Sequence, residues 1–466
     1  MWRPILTYTR FALKALAASA LTGSLGLLSP VAFAQTPQDL ASIRKDMADL
    51  REAYEAKIGD LEARLAKAEA DATAAREAAE QAQAQTQAPD AGYDQLAAND
   101  PVAAPATPSA QNAFNPGIAA VLNGLATVAS NDPTAGAISG FSAGDEAGGP
   151  DRGFSMGESE VSFTANIDPS LMGFLDFSIG GDNEVSLEEA YIRTTALEGG
   201  FTLKAGRFLS SVGYLNERHA HDWSFSDAPL PYKAFFNSQL GDDGVQVRWI
   251  APVDQYLEFG AEVLRGDAFP GGGSANNGAG TYTLFGRTGN DFDDSSSWLA
   301  GLSYVHAKAD GRESNGGADL FSGNSDLGIA SFVYKWAPNG NPTSQNLALT
   351  SELFYGKEDG QFNGIDVSQT HTGWYAQGVY QFMPSWSAGL RLAGLNSSSP
   401  GALLAGTALD DLGHSPFAAT ALLEYDTSEF GRLRLQYTRD EAGDQPNDVL
   451  SLQYTVIYGP HGAHRY

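Results

Sequence analysis

The chain has 466 residues, of which 18% are charged, and its formal net charge is −28 at pH 7. This charge excludes nucleic acid as a partner, because binding phosphates requires a basic surface. The absence of cysteine excludes disulfide bonds and thiol chemistry. A mean hydropathy of −0.23 is too polar for a helical membrane protein, although a β-barrel escapes this test because its apolar and polar residues alternate.

Residues 1–34 have the features of a signal peptide. Arg3, Arg10 and Lys14 form a basic start, an apolar run follows, and an Ala-Phe-Ala triplet at 32–34 resembles a signal peptidase site. An uncleaved anchor is the alternative, but glycine, serine and proline residues interrupt the apolar run. The segment therefore predicts export from the cytoplasm.

Residues 35–85 are predicted to form a periplasmic α-helical coiled coil. Apolar residues recur along this segment at helical spacing and form a stripe on one side of the helix. Two or more copies of the helix must meet to bury this stripe, so the segment predicts a homo-oligomer. A single amphipathic helix on another surface remains the alternative. Residues 86–115 are a predicted flexible linker, because they combine low hydrophobicity with repeated prolines. The stripe follows alternating steps of three and four with one stutter: Leu40, Ile43, Met47, Leu50, Tyr54, Ile58, Leu61, Leu65, Ala68 and Ala72.

The segment 449–458 shows the pattern that governs residues 116–466. Its side chains alternate between two faces: Leu450, Leu452, Tyr454, Val456 and Tyr458 on one, and Ser451, Gln453 and Thr455 on the other. Many such strands must bury their apolar faces in a core, in a second sheet or in lipid. We interpret the apolar face as lipid-facing, so 116–466 is predicted to be an all-β transmembrane barrel of the outer membrane.

The same alternation, bounded by turn residues, predicts about sixteen antiparallel strands, an even number as in bacterial barrels. The first segment is also compatible with a helix and the eighth is short, so fourteen or eighteen strands remain alternatives. The predicted strands are 116–129, 153–167, 172–181, 184–196, 201–212, 244–251, 255–266, 281–288, 297–308, 327–338, 346–357, 373–382, 386–396, 416–426, 431–440 and 449–458.

The connections support a barrel. Several of those after even-numbered strands are tight turns, as expected on the periplasmic side, where both termini lie. A soluble β-sandwich, the alternative, has no reason to segregate loop lengths in this way. The connections after odd-numbered strands are mostly long, as expected for external loops: 130–152, 213–243, 267–280, 309–326 and 397–415.

Charged residues within the predicted strands indicate a polar lumen. A charge that faces hydrocarbon near the middle of a membrane costs about 2–4 kcal/mol, so these residues should point inward and line a water-filled pore. Carboxylates gather on early strands and arginines on late ones, which predicts a mild preference for cations. The predicted pore-lining residues are Glu158, Glu160, Asp176, Arg391, Arg432 and Arg434.

The third external connection, 213–243, is too rich in aromatic residues to extend into water. We expect it to fold back into the mouth of the barrel or over its rim. Its candidate constriction residues are Tyr214, Glu217, Arg218, Trp223 and Tyr232.

The sixteen predicted strands, the long third connection and the opposed charges resemble the general and phosphate-selective porins of Gram-negative bacteria. In those families the third loop narrows the pore, and several porin groups carry a periplasmic coiled coil before the barrel. The resemblance implies an outer-membrane channel for passive diffusion of small hydrophilic solutes or ions. Together with the coiled coil, it favours a homotrimer.

Residues 203–223 and 459–466 more narrowly resemble proteobacterial outer-membrane proteins labelled zinc-regulated and TonB-dependent receptor-like. Two features depart from a receptor of that kind: a globular plug domain of about 150 residues is not expected, and about sixteen strands are fewer than the 22 of such transporters. A passive or substrate-specific porin is therefore the better interpretation, with zinc-specific uptake as the alternative.

His219, His221 and Asp222 form the candidate metal site. In an extended segment the two histidines would share a face, and imidazole with carboxylate suits Zn²⁺. Alternatively, both histidines hydrogen-bond within a packed loop. No cofactor is otherwise expected. The missing third ligand would come from Glu217, Asp222 or a distant loop histidine such as His371 or His414.

The sequence does not predict an enzyme. Gly-x-Ser-x-Gly occurs around Ser142 and Ser155, but the nucleophile elbow requires a strand before the serine and a helix after it. The His-Glu-x-x-His motif is absent from the sequence. A third possibility is a structural protein in which the barrel is plugged and the coiled coil tethers the outer membrane to peptidoglycan.

Overall fold

The computed structural model describes residues 116–181, 184–273 and 277–459. The chain divides into the units Met1–Ala91 and Gly92–Tyr466, and the described residues all belong to the second. The predicted signal peptide (1–34), coiled coil (35–85) and linker (86–115) lie outside the described residues. So does the C-terminal segment 460–466.

The described chain is built from β-strands, six short 3-10 turns and one short α-helix, α1, at Leu230–Phe236. The strands are β1 Gly117–Ala129, β2 Gly153–Met156, β3 Ser159–Asp168, β4 Leu171–Ile179, β5 Val185–Thr194, β6 Phe201–Leu209, β7 Gly241–Ile250, β8 Tyr256–Leu264, β9 Gly272–Gly273, β10 Thr281–Asp293, β11 Ser296–Ser314, β12 Asp319–Trp336, β13 Asn346–Phe362, β14 Ile365–Met383, β15 Trp386–Ser397, β16 Phe417–Ser428, β17 Gly431–Glu441 and β18 Asn447–Tyr458.

Sixteen of these strands form a closed antiparallel ring, as predicted. Each pairs with the next along the chain, and β1 closes the ring by pairing with both β3 and β18. The closing pair β1–β18 runs in continuous register from Ala120 opposite Tyr458 to Ala129 opposite Val449. The short β2 and β9 pair alongside β1 and β11 and are not part of the ring. The predicted segment 153–167 is thus two elements, and 117–129 is a strand rather than a helix.

The connections differ between the two ends of the barrel, in agreement with the sequence. At one end the ring strands are joined by short turns such as 169–170, 384–385 and 429–430. At the other end lie 130–152 and 210–240, the two longest connections.

The predicted long loop 309–326 is wrong. Strand β11 continues to Ser314 and β12 begins at Asp319, so the connection is only 315–318. It contains Asn315, Gly316 and Gly317, all with positive φ, which allows a tight reversal. The flanking residues are mostly polar, which is why the sequence predicts a loop there. Their backbones nevertheless pair across the hairpin up to the turn.

The outer face of the ring is apolar and the inner face is buried. In β18, Leu450, Leu452 and Tyr454 are 43–46% exposed, whereas the intervening Ser451 and Gln453 are at most 5% exposed. Other strands repeat this arrangement. Their exposed apolar residues include Leu122, Ile192, Leu203, Val247, Phe259, Leu284, Leu302, Phe332, Leu353, Leu390, Leu423 and Leu435. Among the described residues, no helix combines the length and the apolar character needed to cross a membrane.

The interior is not uniformly polar, which corrects the prediction of a lumen lined by polar groups alone. Strands β11–β15 carry inward apolar residues that pack against α1 in one buried cluster. Alternation assigns residues to opposite faces, but it does not reveal that an inner face is covered by another segment. The inward apolar residues of this cluster are Val305, Leu327, Ile329, Phe354, Tyr375, Ala393 and Leu395.

Candidate functional site

The connection between β6 and β7, residues 210–240, lies inside the barrel and is called here the lumen segment. Its hydrogen bonds reach β3, β5, β7, β8, β10, β11, β13, β15 and β17. Of the two expected positions for this connection, the mouth of the barrel and its rim, the structure shows the first. Many of its residues are at most 1% exposed: Ser210, Ser211, Val212, Asn216, His221, Phe225, Tyr232, Phe236 and Leu240.

The lumen segment has two parts, residues 210–227 and residues 228–240. Helix α1 holds the second part in place by aromatic packing. The helix is preceded by Pro229 and ends where Asn237 adopts a φ of 53°. Phe235 stacks on Phe354 of β13, with ring centroids 5.6 Å apart. It also meets the edge of Phe141 from the first external connection, at 5.8 Å. Two of the long connections at this end are thus packed together inside the barrel.

Glu352 of β13 joins both parts of the lumen segment to the wall. Its Oε2 accepts hydrogen bonds from the hydroxyls of Tyr232 (2.8 Å) and Tyr375 (2.6 Å). Its Oε1 accepts from the backbone N–H of Tyr214 at 2.8 Å. Burial and the Glu352 carboxylate raise the pKa of Tyr232 well above its usual value, so this hydroxyl remains a donor. The predicted constriction residues Tyr214 and Tyr232 therefore meet at one wall carboxylate.

Glu217 is the centre of a second anchor. Arg287 Nη1 lies 2.6 Å from Glu217 Oε1, and Arg248 also pairs with this carboxylate. Arg287 Nη2 donates to the backbone carbonyls of Ser211 (2.6 Å) and Gly213 (3.1 Å). Burial alone would raise the pKa of Glu217, but Arg248 and Arg287 outweigh this effect and hold it well below its usual value. Glu217 thus secures the start of the lumen segment and is not the third ligand beside the histidines.

The three predicted pore-lining arginines face inward and contact the lumen segment. Arg391 donates two hydrogen bonds to Asp227, one to the backbone carbonyl (2.7 Å) and one to the side-chain Oδ1 (2.5 Å). Arg434 donates to the backbone carbonyl of Trp223 at 2.9 Å, and Arg432 donates to the backbone carbonyl of His221. Burial raises the pKa of Asp227, but Arg391 and Lys233 outweigh this effect and hold it below its usual value. These arginines therefore bind the lumen segment to the barrel wall.

Arg218 and Trp223 stabilise the turn between these anchors. The Arg218 guanidinium lies 4.3 Å from the ring centroid of Tyr214 and donates to its hydroxyl at 2.8 Å. Trp223 Nε1 donates to the carbonyl of Arg218 at 2.9 Å. All five predicted constriction residues are thus brought into one network inside the barrel.

A cluster of acids and histidines lies where the lumen segment meets β3, β4 and β5. His219 Nδ1 is 3.5 Å from Glu160 Oε2, 3.5 Å from Asp176 Oδ2 and 3.6 Å from Glu188 Oε2. Its Nε2 is 3.0 Å from Glu189 Oε2. We call Glu160, Asp176, Glu188, Glu189, His219 and His221 the acid–histidine cluster.

The second histidine of the cluster is more deeply buried. His221 is 1% exposed, and its Nδ1 lies 2.8 Å from Glu160 Oε1. The two imidazole rings stack with centroids 5.6 Å apart. Burial lowers the pKa of both histidines, but the Glu188 and Glu160 carboxylates more than offset this for His219, whose pKa lies well above its usual value. The cluster therefore attracts positive charge.

A β-bulge places two consecutive glutamates in this cluster. The pairing of β4 with β5 shifts register between Asp176 and Phe177, so that Asp176 lies opposite Glu189 and Phe177 lies opposite Leu187. Glu188 is the extra residue, and its side chain joins that of Glu189 on the inner face. Two adjacent acids in an alternating segment were the sequence signal for this bulge, and the sequence prediction missed it.

The candidate ligand set differs from the predicted set of His219, His221 and Asp222. Two groups of donor atoms converge within 4.8 Å: Glu160, Asp176, Glu188 and His219 in one, and Glu160, His219 and His221 in the other. Asp222 belongs to neither group, and its Oδ1 is 3.5 Å from His221 Nε2. The reason is that residues 220–222 form a 3-10 turn rather than a strand, and the missing carboxylates come from the barrel wall.

The other residues singled out from the sequence are not among these candidate ligands. Glu158 precedes β3, is half-buried and lies near enough to Glu160, Glu188 and His219 to interact with them electrostatically, and its carbonyl accepts from Asn123 Nδ2 at 3.0 Å. His371 lies 3.8 Å from Glu358, and His414 Nε2 is 2.7 Å from the Glu441 carbonyl. Neither histidine reaches the acid–histidine cluster as a ligand. Of the two serines in Gly-x-Ser-x-Gly, Ser142 Oγ is 2.5 Å from Ser314 Oγ, and Ser155 lies on the short β2.

Comparison with solved structures returns outer-membrane proteins, among them a porin. OmpT of Vibrio cholerae in its trimer form has a TM-score of 0.47 and 10% identity, covering 74% of this chain and 99% of that one. An anion-selective porin from Comamonas acidovorans has a TM-score of 0.46 and 11% identity, with the same coverages. OmpF of Salmonella typhi has a TM-score of 0.47 and 12% identity, again covering 74% and 99%.

Sequence comparison identifies a relative over about two thirds of this chain. The chain matches no protein-family profile. It is 30% identical over 338 residues to a protein of Aquifex aeolicus (strain VF5) described as uncharacterized, and the match covers 67% of this chain and 70% of that protein. The chain therefore belongs to the same family as this Aquifex aeolicus protein.

Proposed function

We propose that the protein is an outer-membrane channel whose lumen is constricted by residues 210–240, and that small hydrophilic solutes or ions diffuse through it passively. The observation that carries this proposal is the closed ring with an apolar outside and many polar and charged residues inside. Leu302 and Leu390, for example, are 69% and 67% exposed, whereas Glu352 and Arg434 are at most 1% exposed. A water-soluble protein rarely exposes so much contiguous apolar surface.

Lipid is the environment that this exterior fits. A closed barrel satisfies every backbone hydrogen bond internally, which is required of any structure that crosses hydrocarbon. Short turns at one end and long connections at the other match the periplasmic and external sides of an outer-membrane barrel. The partners that follow are outer-membrane lipids and the permeating solute.

A plugged barrel that anchors the outer membrane is a second candidate. It is supported by the dense packing of α1, in which Tyr232 and Phe236 are fully buried. The charged contacts of the preceding residues support the channel instead, because polar walls and backbone carbonyls can share an aqueous path with ions.

Conductance in planar bilayers separates the two candidates. Leu209 and Gly241 are paired neighbours at the ends of β6 and β7, so an Asn-Gly turn can replace residues 210–240 without breaking the ring. We expect the wild type to conduct and the shortened variant to conduct more. The matched control replaces 315–318 by Asn-Gly between the paired Ser314 and Asp319, and should leave conductance unchanged.

Two outcomes would contradict the channel. Conductance from the shortened variant alone would favour the plugged anchor. Absence of conductance from both, in protein that is heat-modifiable on gels as folded barrels are, would refute the proposed channel.

The assembly is part of the proposal. The heptad pattern within 35–85 supports a homo-oligomer, and the barrel favours a trimer with a periplasmic coiled coil that can reach peptidoglycan. Gently extracted protein should migrate as a trimer and conduct in steps of three. A monomer that retains residues 35–85 would contradict this assembly.

A further inference from the structure

We propose that Glu160, Asp176, Glu188 and His219 form a binding site for one divalent transition-metal ion, Zn²⁺ being the best fit, between the barrel wall and the lumen segment. The two glutamates and the aspartate come from three neighbouring strands, β3, β4 and β5, and the histidine comes from the lumen segment. The inference stands on this geometry and does not require that the barrel conducts.

The spacing of the three oxygens from His219 Nδ1 matches the spacing of ligands around a small ion, and all four donor atoms lie within 4.8 Å of one another. Donor atoms about 2.0–2.2 Å from Zn²⁺ in a tetrahedron lie about 3.3–3.6 Å from one another. His219 Nδ1 lies 3.5, 3.5 and 3.6 Å from its three carboxylate oxygens. Direct hydrogen bonds from a ring nitrogen would bring one of these oxygens to about 2.7–3.2 Å. The nitrogen instead stands off from all three by similar distances.

Two of these donor atoms, Glu188 Oε2 and His219 Nδ1, are buried and have no hydrogen-bond partner among the described residues. The same is true of Oδ1, the other carboxylate oxygen of Asp176. Asp176 is 1% exposed, so water does not readily take that role. A buried polar group without a partner costs about 1–3 kcal/mol, and more when it is charged. A bound cation would satisfy Glu188 Oε2 and His219 Nδ1 at once.

Residues around the four ligands are arranged to orient them. His219 Nε2 lies 3.0 Å from Glu189 Oε2, and Glu189 Oε1 is held by the backbone N–H of Leu209 at 2.9 Å. A carboxylate on the far nitrogen is the usual partner of a metal-binding histidine, because it directs the other nitrogen to the ion. His221 Nδ1 likewise engages Glu160 Oε1 at 2.8 Å and leaves Oε2 facing His219.

Donor type favours zinc over the alkaline-earth ions. Three carboxylates and one imidazole converge at this site. Ca²⁺ prefers six to eight oxygen ligands, and Mg²⁺ requires octahedral oxygen coordination. One nitrogen and three oxygens in a small pocket instead suit Zn²⁺.

Calorimetric titration of the full-length, tag-free protein in detergent with ZnCl₂ tests the site. The wild type should bind one Zn²⁺ per chain saturably, and excess Mg²⁺ or Ca²⁺ should not compete. His219→Ala and the near-isosteric Glu188→Gln should each weaken binding by at least about tenfold. Glu189→Gln, which removes the negative charge of the orienting partner and keeps all four ligands, should weaken it by about 10–100-fold.

Two controls separate this site from other histidines. His414→Ala alters a histidine bonded to the Glu441 carbonyl and should bind zinc like the wild type. A variant with both His461 and His464 replaced by alanine should do the same. Heat-modifiable migration establishes that each variant is folded.

The proposal has clear contrary results. Absence of saturable zinc binding by the wild type would overturn it, and so would equal binding by the wild type and Glu188→Gln. If His219→Ala fails to fold, X-ray absorption of the zinc-loaded wild type decides instead. One imidazole among oxygen ligands would support the site, and two or more imidazoles would refute this ligand set.

Discussion

The two parts of the lumen segment are held by different physical forces. Residues 210–227 are held mainly by charged wall residues, such as Arg287 on Glu217 and Arg391 on Asp227. Residues 228–240 are held mainly by apolar packing of α1 against Phe354 and its neighbours. Apolar packing is governed by shape and is insensitive to salt and pH, whereas ion pairs depend on both. The first part is therefore the part that ions can influence, and the second is the part that keeps the segment in the barrel.

The largest expected effect comes from removing a side chain of the apolar part. Phe236 is fully buried, so Phe236→Ala should lower the local stability of the lumen segment by about 3–5 kcal/mol. Trypsin cleavage at Lys233 should accelerate by at least about a hundredfold, since each 1.4 kcal/mol is a factor of ten. Phe292→Ala, at a residue that is 64% exposed, is the control. Unchanged cleavage would show that packing of α1 does not hold the segment.

A smaller effect is expected from the charged part. Asp227→Asn leaves the buried Arg391 without its counter-ion and should cost about 1.5–3 kcal/mol, measured by the same cleavage assay. Asp326→Asn disrupts a pair with His306 in which both side chains are 36–40% exposed, and exposed pairs contribute about 0–1 kcal/mol. If the two substitutions had equal effects, Arg391 would not be a specific anchor.

Acid should weaken the charged part while the apolar part persists. The pKa of Asp227 is depressed in the folded protein by Arg391 and Lys233, and Gln436 also donates to it. A depressed pKa contributes stability above the unfolded value, about 3.9, and this stability is lost as the pH falls towards the folded value. We expect no change between pH 8 and 5, and loosening below about pH 4.

The chain has no cysteine, so a single spin label at Ser224→Cys can report this loosening. Its mobility should rise below about pH 4 in the wild type, and Asp227→Asn should already be mobile at neutral pH. A wild type as rigid at pH 3 as at pH 7 would contradict the role of this ion pair.

The smallest expected effect is on ion selectivity. The late-strand arginines contact the lumen segment, while the carboxyl groups of Glu160, Asp176 and Glu188 are grouped on β3, β4 and β5. Reversal potentials in a salt gradient should therefore show a mild cation preference. The double variant Asp176→Asn, Glu188→Gln should reduce it. Clear anion selectivity of the wild type would contradict this electrostatic interpretation.

Local alternation was sufficient to predict the wall of this protein. In β18 the exposed Leu452 and the buried Gln453 fall on the predicted faces, and the sixteen ring strands lie close to the predicted segments. The reason is that a strand's side chains alternate regardless of what it pairs with. The failures came where hairpin pairing extended beyond the alternating region, as at 309–326, and where a bulge broke the alternation at Glu188.

The sequence by itself therefore determined the ring, the two faces of its strands and the return of the long aromatic connection onto the barrel. It also singled out His219 and His221 as a pair. Only the tertiary structure decided what surrounds them, because Glu160, Asp176 and Glu188 approach His219 from three paired strands up to about sixty residues away. The same holds for Arg391, which reaches Asp227 across 164 positions of sequence. Such contacts depend on ring closure and on the path of the lumen segment, which no local pattern of residues records.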